Sequence, residues 1–462
     1  MAGIAQDDGS SSVSSSPLQI FSLMSISPGL GSPYAWLRKL KSEERGLCLI
    51  QLLLSCATHV ATGSIDNANL CLDHISLLAS PDGDSMQRVS AYFTEALAAR
   101  ALKVAWPGLY KALHATNLPQ PLPHARRLFF DLCPFLKLAF LLANQAILEA
   151  MEGEKMIHVI DLNATEPAQW LAFLQALSLR PGGPPHVRIT GVNDSKEVLD
   201  HTASRLAEEA ERLDVPFQFN PVVATLESLD PDALRIKSGE ALAVCSVLQL
   251  HALLAPPPRG CGDEASPLGV RRPRQQGTLG ELLQKEQHHP FGQSPTTESS
   301  TTTSLYTQTR VEGLLAFLRA ASPKIMVLVE QEASHNGATL VERVVEALHF
   351  YGALFDCLES TVGRASPERR RVEKHLFGEE IKDIVGCEGA ERKERHERLE
   401  RWVGRLEGCG LVRAPLSYVG VGQARRAVQA WGCEGYGVRE EGGCVLMCWQ
   451  DRPLFSVSSW RC

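Results

Sequence analysis

One stretch, from Met156 to Val192, limits what this chain can fold into more than any other. It opens with an apolar run typical of a buried strand, Met156 to Asp161, and closes with a second such run, Val187 to Val192. Between them lies a segment with the apolar periodicity of an amphipathic helix. The pattern predicts a βαβ unit, the opening element of a doubly wound, mostly parallel α/β sheet of the Rossmann type.

The turn after the first strand lacks the glycines that nucleotide-binding units of this kind carry. Such glycines let backbone N–H groups approach a phosphate or a cofactor. Here the turn reads Leu162-Asn-Ala-Thr-Glu-Pro-Ala-Gln-Trp170, with bulky or rigid residues in their place. We therefore expect a cofactor-type scaffold that has lost its cofactor loop, and we predict no cofactor.

Charge and cysteine usage exclude several classes of protein. A net charge of −7 and a pI near 6.1 argue against a protein whose main task is to grip a nucleic-acid backbone. The thirteen cysteines include no Cys-x-x-Cys pair, so we expect reduced core thiols and no metal site. Cys444 and Cys448 share one face of a predicted strand, without nearby histidines. No segment has the pattern of a transmembrane helix or a secretory signal.

The chain divides into regions of different composition. Residues 1–33 are rich in Ser, Gly and Pro and are expected to be disordered. One domain is expected over 34–462, with an N-terminal α-helical cap mainly in 34–150 and an α/β core mainly in 151–462. Residues 255 to about 305 are expected to form a disordered insertion within that core.

Further strands and helices are expected after the βαβ unit. Apolar runs predict strands at Phe217–Val222, Leu242–Leu248 and Ile325–Val329, and helices at Glu197–Leu213 and Ala338–Phe350. Two closing runs, Cys444–Gln450 and Leu454–Trp460, predict a terminal antiparallel hairpin. By analogy, this order matches the methyltransferase-like version of the doubly wound fold.

Three polar residues near the predicted strand ends are candidates for chemistry. Asp161 ends the first strand and Asp194 follows the second, where related sheets hold a ribose with an acid, although the separation exceeds the usual ~20 residues. Satisfaction of strand-end backbone groups is the favoured role for both. His158 lies within the first strand, where a structural hydrogen bond is favoured over a catalytic base. No nucleophile elbow, zinc-protease motif or phosphate loop occurs in the sequence, so no catalytic residue is predicted.

The most charged run, Glu391 to Trp402, alternates acids and bases, so its net field is small. Leu399, Trp402, Val403 and Leu406 repeat at helical spacing. We predict a salt-bridged amphipathic helix here rather than a nucleic-acid-binding surface.

Two Leu-x-x-Leu-Leu patterns are candidates for docking to a partner protein, because each can present three leucines to a groove. They comprise Leu49, Leu52 and Leu53, and Leu250, Leu253 and Leu254. Such patterns arise often in leucine-rich helices, so core packing is the favoured interpretation and docking is the alternative.

Several motifs, in order along the chain, resemble those of the plant GRAS family. Ile157, His158, Val159, Ile160 and Asp161 are similar to its VHIID motif and lie between two leucine-rich regions, at about 43–106 and 201–233. Val187-Arg-Ile-Thr190 resembles the LRIT segment. Phe350-Tyr351 and Glu368-Arg369 resemble the PFYRE region, and Glu391 to His396 with Ser459-Trp460 resemble the SAW region. The stretches 32–37, 166–170 and 448–453 look closest to the scarecrow-like 3 group of that family.

The resemblance implies a methyltransferase-like fold with a helical cap, in a nuclear transcriptional coregulator that is not an enzyme. Implied partners are zinc-finger transcription factors of the INDETERMINATE-domain type, DELLA proteins and other GRAS proteins. DNA contact would be indirect, no membrane would be involved, and homo- or hetero-dimerisation stays open. The subgroup implies roles in gibberellin response and root development.

Two alternatives remain open at this point. One is a methyltransferase that uses S-adenosylmethionine through a degenerate loop, with Asp161 and Asp194 as cofactor contacts. The other is a transcription factor that binds DNA directly.

Overall fold

A computed structural model describes residues 40–114, 122–257 and 299–462. Within these ranges nine strands form one sheet. The strands are β1 (Met156–Asp161), β2 (His186–Asn193), β3 (Phe217–Val223), β4 (Ala241–Val247), β5 (Ile325–Gln331), β6 (Val412–Ala414), β7 (Tyr436–Glu441), β8 (Cys444–Trp449) and β9 (Arg452–Arg461).

Helices cover both faces of this sheet and form the cap. The first six are α1 (Ser42–Ala61), α2 (Ile65–Leu78), α3 (Ser85–Ala105), α4 (Pro107–His114), α5 (Leu122–Leu132) and α6 (Phe135–Ala150). The next four are α7 (Ala168–Ser178), α8 (Lys196–Arg212), α9 (Ser299–Ala320) and α10 (Leu340–Thr361). The last four are α11 (Pro367–Val372), α12 (Gly378–Gly386), α13 (Leu399–Gly408) and α14 (Tyr418–Trp431). A π-helical turn, Glu373–Phe377, joins α11 to α12.

The sheet has the topology that the sequence predicts. Strands β3, β2, β1, β4 and β5 lie side by side and run parallel, so the strand order reverses next to β1. Strand β9 pairs antiparallel with β5 at the far side. Strands β4 and β5 are buried along their whole length, which explains their mostly apolar sequences. The predicted doubly wound, mostly parallel fold with a terminal antiparallel part is confirmed.

The antiparallel part is larger than the predicted hairpin. Besides β8 and β9, it contains β7, which pairs with β8, and β6, which pairs with the end of β9. The prediction missed β6 because it has three residues. It missed β7 because its second half, Arg439-Glu-Glu441, is polar and mostly exposed and so lacks an apolar alternation. Cys444 and Cys448 are buried in a small apolar cluster with Leu399 and Leu446.

Two predicted boundaries were wrong. Helix α10 continues eleven residues beyond Phe350, through Gly352, which weakens a helical pattern in sequence. Helix α9 begins at Ser299, inside the stretch predicted as a disordered insertion. The rest of that insertion from residue 258 onward, and the predicted disordered N-terminus, lie outside the described residues.

The cap is built from two distant segments of the chain, one N-terminal and one after β5. Helices α1, α2 and α3 pack on one another, and α3 also packs on α10 and α12, which follow the fifth strand. Within the described residues, no single helix has the length and apolar composition to cross a membrane. Only the consecutive pair His124–Leu132 and Phe135–Ala150, bent by 88°, meets those criteria together.

A buried ionic network joins these two parts of the cap. The side chain of Arg88, on α3, is fully buried, and its Nε donates to Glu373 Oε1 at 3.0 Å. A second nitrogen of Arg88 contacts Glu359 near the end of α10. Arg369 reaches the same two carboxylates at 3.3 and 3.5 Å. Burial raises the pKa of Glu373 in spite of both arginines, so this carboxylate depends on them to stay ionised.

We expect Arg88→Met to lower the free energy of unfolding by about 3–5 kcal/mol, because it leaves a buried carboxylate without its main partner. Arg370→Met is the matched control. Arg370 also reaches from α11 to the cap, where it meets Asp82 at 3.4 Å, but both side chains are exposed. Arg370→Met should lower the free energy of unfolding by less than about 1 kcal/mol. If urea denaturation gave the same decrease in the free energy of unfolding for Arg88→Met and Arg370→Met, the buried network would not be what stabilises the cap.

Candidate functional site

The backbone N–H groups of the turn between β1 and α7 donate hydrogen bonds to other groups of the protein. The N–H of Leu162 donates to Cys245 O at 2.9 Å, and that of Ala164 donates to Val192 O at 3.0 Å. The N–H of Asn163 donates to Asp161 Oδ1 at 2.9 Å. In a phosphate-binding turn these donors point at the ligand. Here they are engaged within the protein, in line with the bulky sequence of the turn.

Asp161 satisfies groups at the end of its strand. Its Oδ2 accepts the indole N–H of Trp170 at 2.7 Å, which ties the strand to the first turn of α7. Burial raises the pKa of Asp161 to about 6, although the hydrogen bonds from Trp170 and Asn163 oppose this shift. Asp194 lies apart from this arrangement as an exposed residue between β2 and α8.

The space between the ends of β1 and β2 is filled by protein. A Cβ added at Gly191 would lie 2.7 Å from Phe219 and 2.8 Å from Ala164, so even a methyl group does not fit. The turn itself has no glycine, but Gly191 lies next to it on β2. There the glycine allows close packing of the chain rather than the approach of a ligand.

His158 is a structural hydrogen bonder within the sheet. Arg188 Nη2 lies 3.0 Å from His158 Nδ1, and since arginine only donates, His158 Nδ1 accepts. The ring therefore carries its proton on Nε2, which donates to Thr190 Oγ1 at 2.9 Å. Glu240 in turn holds the guanidinium of Arg188. Burial first, and then Arg188, lower the pKa of His158 to about 4.

The six leucines of the Leu-x-x-Leu-Leu patterns do not lie on the surface. Leu49, Leu52 and Leu53 are buried on α1 in the core beneath the cap. Leu250, Leu253 and Leu254 are buried in a 3₁₀ turn after β4, in the core on the opposite face of the sheet. This corrects the docking alternative, because none of the six is available to a partner in this conformation. They stabilise the fold instead.

A buried cluster of histidines and glutamates lies beyond the ends of β4 and β5, and sequence reasoning missed it. We call this set, which comprises His251, Glu330, His335, Glu394 and His396, the His–Glu cluster. Its members come from the 3₁₀ turn after β4, from β5 and the loop after it, and from the loop before α13. The sequence signals were a histidine after β4, a glutamate and a histidine near the end of β5, and a charged run much later in the chain.

The cluster is a chain of short contacts. His251 Nδ1 lies 2.8 Å from Glu330 Oε2, and His251 Nε2 lies 3.0 Å from Glu394 Oε2. His396 Nε2 lies 3.1 Å from the same Glu394 oxygen. His396 Nδ1 lies 2.9 Å from His335 Nδ1. The other oxygen of Glu330 accepts the N–H of Leu250 at 2.9 Å, which fixes the 3₁₀ turn.

The charged run that supplies two members of the cluster is not the predicted helix. Helix α13 begins only at Leu399, and Arg392 to Arg398 form an irregular loop. Its backbone is held by Asp383, whose Oδ1 accepts the N–H groups of Lys393 at 2.9 Å and Glu394 at 2.7 Å. Arg392, Arg395 and His396 are buried. The prediction was wrong because alternating charges suit both a solvated helix and a loop with specific buried partners.

The electrostatics of the cluster couple its members. Burial opposes a charge on His251, but Glu330 and Glu394 outweigh it and raise its pKa to about 10. Burial also opposes a charge on Glu394, but His251 and His396 hold its pKa well below the usual range. Next to the cluster, burial and then Glu394 raise the pKa of Glu380 to about 7. Tyr351 donates its hydroxyl to Glu380 at 2.7 Å.

A cavity of about 60 Å³ separates the cluster from α5 and α6. Its polar lining includes Arg126, Asn163, His251, Glu380 and Glu394, and its apolar lining includes Phe129, Phe140 and Phe455. The cavity has room for about four water molecules, whereas sites for drug-sized ligands measure roughly 300–1,000 Å³. It is far too small for a nucleoside cofactor.

We expect the stability of the domain to fall on acidification partly because of His158. Between pH 6.5 and about 4 the unfolded chain protonates this ring and the folded chain does not. The free energy of unfolding therefore declines as the pH falls through this window, with about 3 kcal/mol of the loss due to His158 by pH 4. His158→Gln should flatten that part of the profile in urea denaturation series.

His201→Gln, at an exposed position on α8, is the matched control and should leave the profile unchanged. A profile that is equally steep in wild type and in His158→Gln would contradict the assignment of this acid sensitivity to His158.

The sequence is similar to those of several known plant proteins. The chain is 54% identical to Scarecrow-like protein 3 of Arabidopsis thaliana, over 100% of this chain and 99% of that protein. It is 44% identical to the GRAS family protein TF80 of Medicago truncatula, over 93% of this chain and 99% of that protein. It is 33% identical to the DELLA protein GAI1 of Vitis vinifera, over 95% of this chain but only 66% of that protein.

The crystal structure of SCL7 from Oryza sativa has a similar fold. The TM-score is 0.69 at 31% sequence identity, and the match covers 89% of this chain and 99% of that one. A model of the GRAS domain family matches residues 49–461, nearly the whole chain. The chain therefore belongs to the GRAS domain family of plant transcriptional regulators.

Proposed function

We propose that this protein is a nuclear, non-enzymatic transcriptional coregulator that docks on its partners through exposed apolar side chains of the helical cap. The partners would be zinc-finger transcription factors of the INDETERMINATE-domain type, DELLA proteins and other GRAS proteins, so contact with DNA would be indirect. A part in gibberellin response and root development belongs to this proposal. The observation that carries it is an apolar stripe on α4.

Helix α4 has no buried residue in the structure. Trp106, directly before it, is 57% exposed, and Leu109 and Leu113 are 52% and 59% exposed. The three side chains are spaced three and four residues apart, so they line one face of the helix. Large apolar side chains grouped on a surface mark interaction sites, and tryptophan is a frequent anchor of protein interfaces.

The stripe borders a cleft of about 1,210 Å³ between α2, α3, α4 and α12. Leu72, Trp106 and Tyr110 contribute apolar surface to the cleft, and Lys374 and Glu379 contribute charge. Such a mixture of apolar surface and charged rim is typical of protein interfaces. These features support docking of a helical or zinc-finger element of a partner protein.

We expect Trp106→Ala combined with Leu109→Ser to weaken binding to an INDETERMINATE-type zinc-finger protein or a DELLA protein by about 30-fold or more. This corresponds to the roughly 2 kcal/mol or more that a buried interface anchor contributes. Calorimetry with the purified full chain and each partner gives the dissociation constants. Because the changed residues are exposed, the melting temperature should stay the same.

Leu179→Ser is the matched control, since Leu179 is 84% exposed but lies at the end of α7, away from the cap. The Leu179→Ser variant should bind the zinc-finger protein and the DELLA protein with the same affinity as wild type. If the α4 variant also bound like wild type, docking through this stripe would be refuted.

Two observations support the non-enzymatic part of this proposal: the engaged N–H groups of the turn after β1 and the small cavity beside the His–Glu cluster. We expect no change in thermal stability when the chain is titrated with S-adenosylmethionine up to millimolar concentration. A ligand at a hundred times its dissociation constant would add about 2.7 kcal/mol. A clear stabilisation that Asp194→Asn abolishes would instead support the methyltransferase alternative.

A further inference from the structure

We propose that His251, Glu394 and His396 form a binding site for a divalent transition-metal ion of the zinc type. This inference is independent of the proposed docking function. It differs from the sequence-based expectation of no metal site, which considered residues close together in sequence. Here the ligands come from two distant segments that meet only at the edge of the folded sheet.

The three candidate ligand atoms lie close together. His251 Nε2 and His396 Nε2 lie 3.0 and 3.1 Å from the same oxygen of Glu394. All three ligand atoms lie within 4.8 Å of one another. Ligand atoms of a tetrahedral zinc ion, with bonds of about 2.0–2.2 Å, are roughly 3.4 Å apart. Small side-chain movements would bring all three to bonding distance.

In both His251 and His396, Nδ1 forms a hydrogen bond with a neighbouring side chain. This leaves Nε2 as the nitrogen that can bind a metal ion. His251 Nδ1 donates to Glu330 Oε2 at 2.8 Å, and a metal ion would displace the proton on Nε2 and bind the lone pair that this frees. His396 Nδ1 pairs with His335 Nδ1 at 2.9 Å. With the proton on His396 Nδ1, Nε2 of His396 also presents a lone pair. Ligating histidines nearly always have such an outer partner, which fixes the tautomer and the ring orientation.

His396 Nε2 is the second independent sign of a bound cation. His396 is fully buried, and this nitrogen has no hydrogen-bond partner of acceptable geometry although Glu394 Oε2 lies nearby. A buried nitrogen lone pair that faces a carboxylate oxygen is repelled unless a proton or a metal ion lies between them. A metal ion that bonds to both atoms and to His251 resolves this conflict.

The cavity supplies the remaining coordination position. His251 and Glu394 both line it, and the Glu394 side chain is 23% exposed. A water molecule in the cavity would complete a four-coordinate site with two imidazoles and one carboxylate. This donor set suits zinc and its transition-metal neighbours better than magnesium or calcium, which prefer oxygen ligands. The ion would clamp the loop before α13 to the 3₁₀ turn after β4.

The test uses the purified full chain, freed of metal with a chelator and titrated with Zn²⁺ by calorimetry and with Co²⁺ by visible absorption. We expect one ion per chain, the absorption bands of tetrahedral Co²⁺, and a rise in melting temperature on metal addition. His396→Gln and Glu394→Gln should each abolish the absorption bands. His335→Gln should weaken binding by roughly 10–100-fold, as the loss of an outer partner does.

His201→Gln, an exposed histidine on α8, should bind one ion like wild type. The proposal is overturned if wild type binds no Zn²⁺, if its Co²⁺ complex lacks tetrahedral bands, or if His396→Gln binds as tightly as wild type. The first two outcomes need only the wild-type chain, so a variant that fails to fold leaves the test decisive.

Discussion

Ionised side chains buried where the two parts of the helical cap meet are the constraint on which the rest of this structure depends. The guanidinium of Arg88 can be buried only because it donates a hydrogen bond to Glu373, which lies 285 positions later in the chain. A buried charge without its partner is strongly destabilising. The early cap helices must therefore meet α10, α11 and α12, and a cap encoded in two distant segments of the chain becomes one body.

The same physical rule shapes the edge of the sheet where related folds bind cofactors. In this chain that edge is occupied by its own polar groups: the turn after β1 uses its N–H donors internally, and the His–Glu cluster fills the space beyond β4 and β5. What remains open is a cavity of about 60 Å³. Large apolar side chains are left exposed on the cap instead, around α4. The proposed docking function therefore rests on this exposed surface and not on the sheet edge.

Some of this was accessible from the sequence and some was not. The strands β1, β2, β4 and β5 were predicted well because they are almost wholly buried and mostly apolar, whereas β3 lies at the sheet edge and is half exposed. The Leu-x-x-Leu-Leu patterns were ambiguous, since a leucine that packs in a core and one that docks in a partner have the same spacing. Strand β7 gave no apolar alternation. The loop from Arg392 to Arg398 was mistaken for a helix because its buried charges resemble a solvated face.

The sequence by itself determined the fold class, the family, and the loss of the glycine turn. These depend on local periodicity and on motifs whose residues are neighbours in the chain. The tertiary structure decided which polar groups are buried together, because Arg88 and Glu373, or His251 and His396, meet only after the sheet and cap have formed. It also decided which leucines face water, since exposure depends on the elements packed against a helix and not on the helix's own pattern.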